Sequence, residues 1–284
     1  NHGLLKSTAD GLDFTEYGTN STFESLTFSS RGISRGLAAE TSLVSAIRLK
    51  DSASISRIVN ETNRVHGAAA STSGGYAADF LAVTDINGNI FSGASVNING
   101  ANSLSSVSSV KDALSGKSSY CVEAIGNIKY AVITADPIMS DGKPVGVAVC
   151  GYNLSLDRLV KLVHDSYDAE CTIFAGDTRI STTLREKDGK SLVGTKLANK
   201  EILNMVLGGK TYKGQNEIHG KKYYSIYTPI KSGNGTVTGM LFVAKSIEAI
   251  NAIRDRTLKI VIPSVIALII VVMVFCGWFV RWLM

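Results

Sequence analysis

Apolar positions along this chain recur with two different periods, and the switches between them mark out its elements. Over residues 54–70, Ile55, Ile58, Val59, Thr62 and Val65 return at three- and four-residue spacing, which predicts an amphipathic helix. A strand over 79–84 follows, then Asp85-Ile-Asn-Gly88, whose Asp and Gly suit a tight hairpin, and a second short strand. A loop and helix come next and stop at Gly116. Three more strands are predicted near 118–124, 129–138 and 145–152, the last two joined by the hairpin signal SDGKPVG.

The same order then repeats. A helix over 156–167 carries Leu159, Val160 and Val163 on one face, and a strand over 170–174 leads into a turn at Gly176-Asp-Thr178. After a helix stop at Gly208-Gly209, strands are predicted near 212–218, 222–230 and 236–244, with SGNGTVTG as the last hairpin. Three segments match in order, offset by 92–93 positions: 112–117 with 205–210, 130–138 with 223–230, and 142–149 with 235–242. Two copies at that spacing are tandem domains. The expected fold class is α+β, each copy a five-stranded antiparallel sheet with flanking helices.

Two further stretches frame the repeat. Residues 23–47 read as a long helix with Leu26, Ile33, Leu37, Val44 and Ile47 on one face, able to dock along both domains or pair with a second copy of itself. Residues 260–280 form an uncharged 21-residue run bracketed by Lys259 and Arg281, with Trp278 and Trp282 at interfacial depth, which predicts a transmembrane helix. Ile247, Ile250, Ile253 and Leu258, interleaved with Arg254, Arg256 and Lys259, predict a helix leading into that span. The expected division is 1–39 (N-terminal segment and helix), 40–153 and 154–246 (the two α+β domains), 247–259 (juxtamembrane helix) and 260–280 (membrane span). Asn1 opens a polar stretch with no tripartite signal, so an inserting helix is expected upstream and a cytoplasmic part beyond Met284.

Composition narrows the class. With 45% hydrophobic and 19% charged residues, the 284-residue chain is neither disordered nor a disulfide scaffold. Its net charge of +5 is spread without a basic block, so nucleic acid is not an expected partner. Cys121 and Cys150 fall in strands separated by a third, which argues against a disulfide between them, and no cysteine or histidine spacing suits a metal. The four histidines lack a nucleophile context, GxSxG is absent, and Asp177 and Glu186 read as loop residues. No enzyme activity and no cofactor are expected.

The tandem units between one implied and one visible membrane helix resemble the extracytoplasmic double Cache (tandem PAS-like) sensor domain of bacterial transmembrane receptors, most of all methyl-accepting chemotaxis receptors. The second copy carries the resemblance in TIFAGDTRISTT (172–183), DGKSLVGTKL (188–197), VLGGKTYKG (206–214) and YTPI with GTVTGMLFV (227–243). It implies a sensing module in the cell membrane with residues 1–258 outside the cytoplasm, a homodimer, and a small-molecule ligand. A histidine-kinase or diguanylate-cyclase output, or recognition of a periplasmic binding protein, is the alternative.

Related Cache domains that sense carboxylates hold them from the second and fourth strands. By resemblance, the second-strand anchors fall at Arg179 and Thr182 and the fourth-strand anchors at Ser225 and Tyr227, with Tyr212 and Tyr223 beside them. Arg179 can meet a carboxylate with two parallel hydrogen bonds, which points to a small organic acid. The competing reading pairs Arg179 with Asp177 or Glu170. Alternation places Tyr223, Ser225 and Tyr227 on one face and Tyr224 on the other. In the first copy the corresponding positions are Ile90, Gly93, Ile133 and Ala135, leaving Lys129 and Tyr120 as weaker candidates. Asp136, before Pro137, reads as strand-end turn chemistry.

Overall fold

The computed structural model describes the backbone of residues 2–73, 77–186 and 188–283, and side chains of residues 11–71, 77–186, 188–248, 259–273, 276, 278 and 281. Three helices open the chain: α1 (His2–Ala38), α2 (Thr41–Arg48) and α3 (Ser52–Ser73). The first sheet contains β1 (Phe80–Asp85), β2 (Ile90–Val96), β3 (Ser119–Ile125), β4 (Ile128–Ser140) and β5 (Lys143–Asn153), with α4 (Ser108–Leu114) between β2 and β3. After α5 (Arg158–Tyr167) the pattern returns as β6 (Glu170–Ala175), β7 (Thr178–Thr182), α6 (Lys200–Leu207), β8 (Tyr212–Ile218), β9 (Lys221–Lys231) and β10 (Val237–Ser246), followed by α7 (Ile247–Leu283).

The strand orders are β2-β1-β5-β4-β3 and β7-β6-β10-β9-β8, both antiparallel, so the sequence repeat is a repeat of topology. Its turns follow from local chemistry. The Asp85 carboxylate accepts from the backbone N–H of Asn87 and Asn89, both at 2.8 Å, which sets the first hairpin. At the β4–β5 hairpin Asp141 and Gly142 take φ of 52° and 77°, the two positive angles a two-residue turn needs to match strand twist. Val147 to Cys150 in the central strand β5 are fully buried, which explains why they read as one unbroken apolar run.

The long N-terminal helix differs from expectation at both ends. It begins at His2 and stops at Ala38; Glu40 is extended (φ −69°, ψ 111°) and starts the separate α2. The break lets Leu37 and Ala38 join Leu43, Ala46 and Ile47 in one cluster with Ile55 and Val59 of α3. Leu43 replaces Val44 as the buried position, and Val65, expected on the buried face of α3, is 47% exposed. α1 buries hydroxyls among its apolar residues. Thr15 and Thr19 donate to the carbonyls of Gly11 and Thr15, so these buried side chains are satisfied within the helix.

α1 packs on β4 and β5 of the first sheet and on β9 and β10 of the second. One cluster, from Leu12 and Leu26 through Val132 and Tyr152 to Ile173, Ile226 and Leu241, runs across the junction. The β9–β10 hairpin seals it: Val122 N–H donates to Ser232 Oγ (2.9 Å), Gly233 N–H to the Tyr120 carbonyl (2.9 Å), and Tyr130 shares a hydrogen bond with Thr238. A Cβ on Gly233 would meet that carbonyl at 2.8 Å, so the approach needs glycine. Arg158 clasps Asp79 across the same boundary.

Asp136 is not in a turn. β4 continues to Ser140, and the Asp136 side chain is buried against α1. Cys121, Cys150 and Cys171 are buried free thiols. α7 carries the 260–280 segment, with Pro263 inside it, as one helix continuing from β10; the side chains at 250, 253, 254, 256, 258 and 282 lie outside the described residues. Among the described residues no helix is long and apolar enough to cross a membrane.

Candidate functional site

Each sheet turns one face to α1 and the other outward beneath its own helix and loops. On the outer face of the second sheet the register lines up one row across all five strands, Thr182, Thr172, Phe242, Tyr227 and Tyr212. Arg179, Phe174 and Met240 form the neighbouring row. β7 slips by one residue between the partners of Ile173 and Phe174, so Arg179 and Thr182 share this face although three positions apart. Tyr223 and Ser225 continue it along β9, while Tyr224 packs in the cluster under α1, as alternation required.

Arg179 lies in the interior, 3% exposed. Its Nη1 donates to Thr195 Oγ1 and the Lys196 carbonyl, both at 2.9 Å, and the guanidinium stands 5.1 Å from the centre of the Phe174 ring. Among the described residues its Nε has no hydrogen-bond partner. Neither anticipated ion pair forms: Asp177 takes Lys196 Nζ at 2.9 Å, and Glu170 accepts the Thr183 hydroxyl. Burial lowers the Arg179 pKa from its ordinary value, partly offset by Tyr227, and burial raises that of Tyr227. The Lys196 hydrogen bond holds Asp177 below the usual carboxylate range.

On the same face runs a polar chain whose middle member, Asn216, sequence reasoning missed. Ser225 Oγ donates to Asn216 Oδ1, and Asn216 Nδ2 donates to Tyr227 Oη, both at 2.8 Å. Asn216 lies opposite Tyr223 on β8; its share in the site follows from register, and alternation with Tyr212 was the available signal. The Tyr227 ring is fully buried against Phe242 at 4.8 Å between centroids. Tyr212 meets Tyr227 edge-on but sends its hydroxyl to the Gln215 carbonyl. Thr182, 2.5 Å from the Thr172 hydroxyl, also borders an outer cleft with Lys161, His164 and Arg185.

Leu184, Leu192, Leu197, Ile202 and Val206 cover this face. The covering loop is pinned to the free edge of β7: Arg179 N–H donates to Thr195 O (2.9 Å), Gly194 N–H to Arg179 O (2.8 Å) and Leu197 N–H to Asp177 O (2.9 Å). The result is a covered, mostly apolar layer that encloses one buried cation and a short polar chain.

The first sheet's outer face is different. Phe80, Ala82, Leu104, Val110, Ile133 and Ala135 belong to an apolar cluster there. Tyr120 and Lys129 are not brought together on it. Tyr120 turns to α1, with Arg31 5.7 Å from its ring centre, because its neighbour Cys121 takes the outer face; Lys129 is exposed. Gly93 meets Ser56 of α3 instead.

Residues 153–257 match the family described as single Cache domain 3. The sensor domain of the V. cholerae histidine kinase DctB superposes with a TM-score of 0.56 at 12% identity, covering 85% of this chain and 98% of that one. The sensory domain of the Campylobacter jejuni chemoreceptor Tlp3 gives 0.56 at 14% identity (88% and 98%), and its isoleucine-bound form 0.51 at 15% (88% and 97%). No curated protein matches. Residues 153–257 thus resemble a single Cache domain, and the likeness to these two sensor domains is one of fold.

Proposed function

We propose that this chain is the extracytoplasmic sensing module of a transmembrane receptor, foremost a chemoreceptor, and that the 154–246 domain takes a small carboxylate through Arg179. One observation carries this: a guanidinium 3% exposed, whose Nε has no hydrogen-bond partner and which makes no ion pair among the described residues. A buried cation without counter-charge is costly, and an entering anion removes the cost while forming charge-assisted hydrogen bonds. Ser225, Asn216 and Tyr227 then bind the ligand's remaining polar groups, and the aliphatic cover sets its size. Isoleucine, bound in the Tlp3 relative, also presents a carboxylate.

Entry requires the 183–199 cover to lift from β7, so ligand selects between two positions of that loop, and only differential affinity drives the change. The signal then passes through β10 into α7. Residues 260–280 supply the membrane span, an uncharged run flanked by Lys259 and Arg281. Residues 1–39 and 40–153 form the helix and membrane-distal domain, 247–259 the juxtamembrane link, and the receptor is a homodimer. A histidine-kinase output is the second reading, supported by the likeness to the DctB sensor domain.

The test is a thermal-shift screen of the chain against monocarboxylates, small dicarboxylates and amino acids, repeated on Arg179→Met. At a hundredfold excess over Kd a ligand adds about 2.7 kcal/mol of stability. A carboxylate response lost in the variant supports the reading. A response that survives it, or none from any carboxylate, overturns it.

A further inference from the structure

The two copies meet α1 through equivalent strand positions, and the second copy serves as an internal control for the first. β4 and β9 both carry a Pro-Ile pair, at 137–138 and 229–230, so Asp136 and Thr228 occupy the same place. At the second copy the acid is on the helix: Thr228 donates to Glu16, which is partly exposed and also accepts from Asn20. At the first copy the roles are exchanged. The helix supplies a hydroxyl, Ser34, whose Oγ donates to Asp136 Oδ2 at 2.5 Å, and the acid is on the strand, 3% exposed.

The exchange leaves a carboxylate half-satisfied. Among the described residues Asp136 Oδ1 has no hydrogen-bond partner. Its counter-ion, Arg35, approaches only to 3.6 Å through Nε, and the Arg35 side chain is 63% exposed. A solvent-directed arginine beyond hydrogen-bond length contributes little and is free to swing away. Above the carboxylate, where α1 ends and α2 begins, lies a cleft of about 700 Å³. Ala38, Val44 and Met139 give it apolar wall, Ser45 and Ser118 give it hydroxyls, and Asp136 and Asp141 outnumber its one cation, Arg35. Asp141 is drawn to Arg48 on the rim.

We propose that this cleft is a second ligand site, separate from the Arg179 face, and that it takes a small organic ammonium compound. The ammonium group displaces Arg35, donates to Asp136 Oδ1 and the neighbouring hydroxyls, and leaves a short carbon body against Val44 and Met139. An ammonium suits the place because it presents three donors to an acid that has one unused acceptor and hydroxyls around it. Such a ligand is held between α1 and β4, so it acts on the helix directly without passing through the outer face of either sheet.

The experiment is calorimetric titration of the full chain in detergent with ethylamine, ethanolamine and putrescine hydrochlorides, against 1-propanol and against potassium chloride. At least one amine binds, at least tenfold more tightly than 1-propanol. Asp136→Asn weakens it tenfold or more, Arg35→Gln strengthens it several-fold, and Arg179→Met leaves it unchanged. Ala39→Trp, at an exposed position on the cleft wall, blocks binding with Asp136 untouched and stands in should Asp136→Asn misfold. Binding that survives Ala39→Trp, or that Arg179→Met removes, overturns the proposal. So does potassium binding as tightly as the best amine, or no amine outperforming 1-propanol.

Discussion

Ala131, Ile133 and Ala135 on β4 occupy the positions that Tyr223, Ser225 and Tyr227 hold on β9, counted back from the shared Pro-Ile pair. All six side chains are buried. The first set lies in an apolar layer with Phe80 and Val110, while the second shares its face with Arg179 and Asn216. One topology therefore supports a face that encloses a buried cation and a face whose buried side chains are, among the described residues, mostly apolar. The strand order fixes where a ligand can sit, and the residues on alternate positions of one strand decide what chemistry it meets. Burying a cation costs stability that the apolar face does not lose, and such a cost persists where binding recovers it.

The comparison breaks most visibly at its largest side chain. Tyr227→Ala opens a cavity between Phe242 and Phe174 and lowers the unfolding free energy by roughly 3–5 kcal/mol in urea titration. Arg179→Met works the other way. Replacing a buried, uncompensated cation by an apolar chain of similar length raises stability by about 1–2 kcal/mol while removing the carboxylate response. A fall in stability would mean that the two hydrogen bonds to Thr195 and Lys196 outweigh the burial cost, and Arg179 would be structural. Ser225→Ala costs about 1 kcal/mol, the usual worth of one buried hydrogen bond, because Asn216 keeps Tyr227.

The smallest effect is one the two regions share. Burial pushes the Cys121 and Cys150 thiols from 9.0 up to about 12 and raises that of Cys171 as well. The folded state thus favours the neutral thiol. That contribution is complete below about pH 9 and is lost as pH climbs towards about 12. At pH 8 a thiol-reactive disulfide dye should therefore modify these three only as fast as the protein unfolds. Faster labelling of Cys171 than of Cys121 and Cys150 would mark the second sheet as the looser one.

The strands and hairpins were legible because their information is local. β8 spans the same residues, Tyr212–Ile218, that alternation predicted, and Asp141-Gly142 announces its own turn. α1 was only half visible. Several of its buried positions are hydroxyls, Thr15, Thr19, Ser30 and Ser34, which a hydrophobic period cannot register. The site divides in the same way. Arg179, Ser225 and Tyr227 share a face because of simple alternation plus one slip in β7. Asn216 escaped notice because its partners lie across a strand pair, and Tyr120 was assigned to the wrong side by a single residue of register. The Asp177 pairing looked natural two residues from Arg179, yet Lys196, nineteen positions away, claims that carboxylate from the covering loop.

The reach of α1 has a bearing on how the two copies can be handled and how they can diverge. Leu12 and Leu26, about four helical turns apart, are buried in a cluster to which both sheets contribute. Neither sheet owns the hydrophobic layer on its inner side; they hold it jointly through one helix. Cutting the chain near residue 153 would thus yield a fragment with an open apolar flank, poorly suited to expression alone. Change in either copy is held to the spacing of a helix that also serves the other.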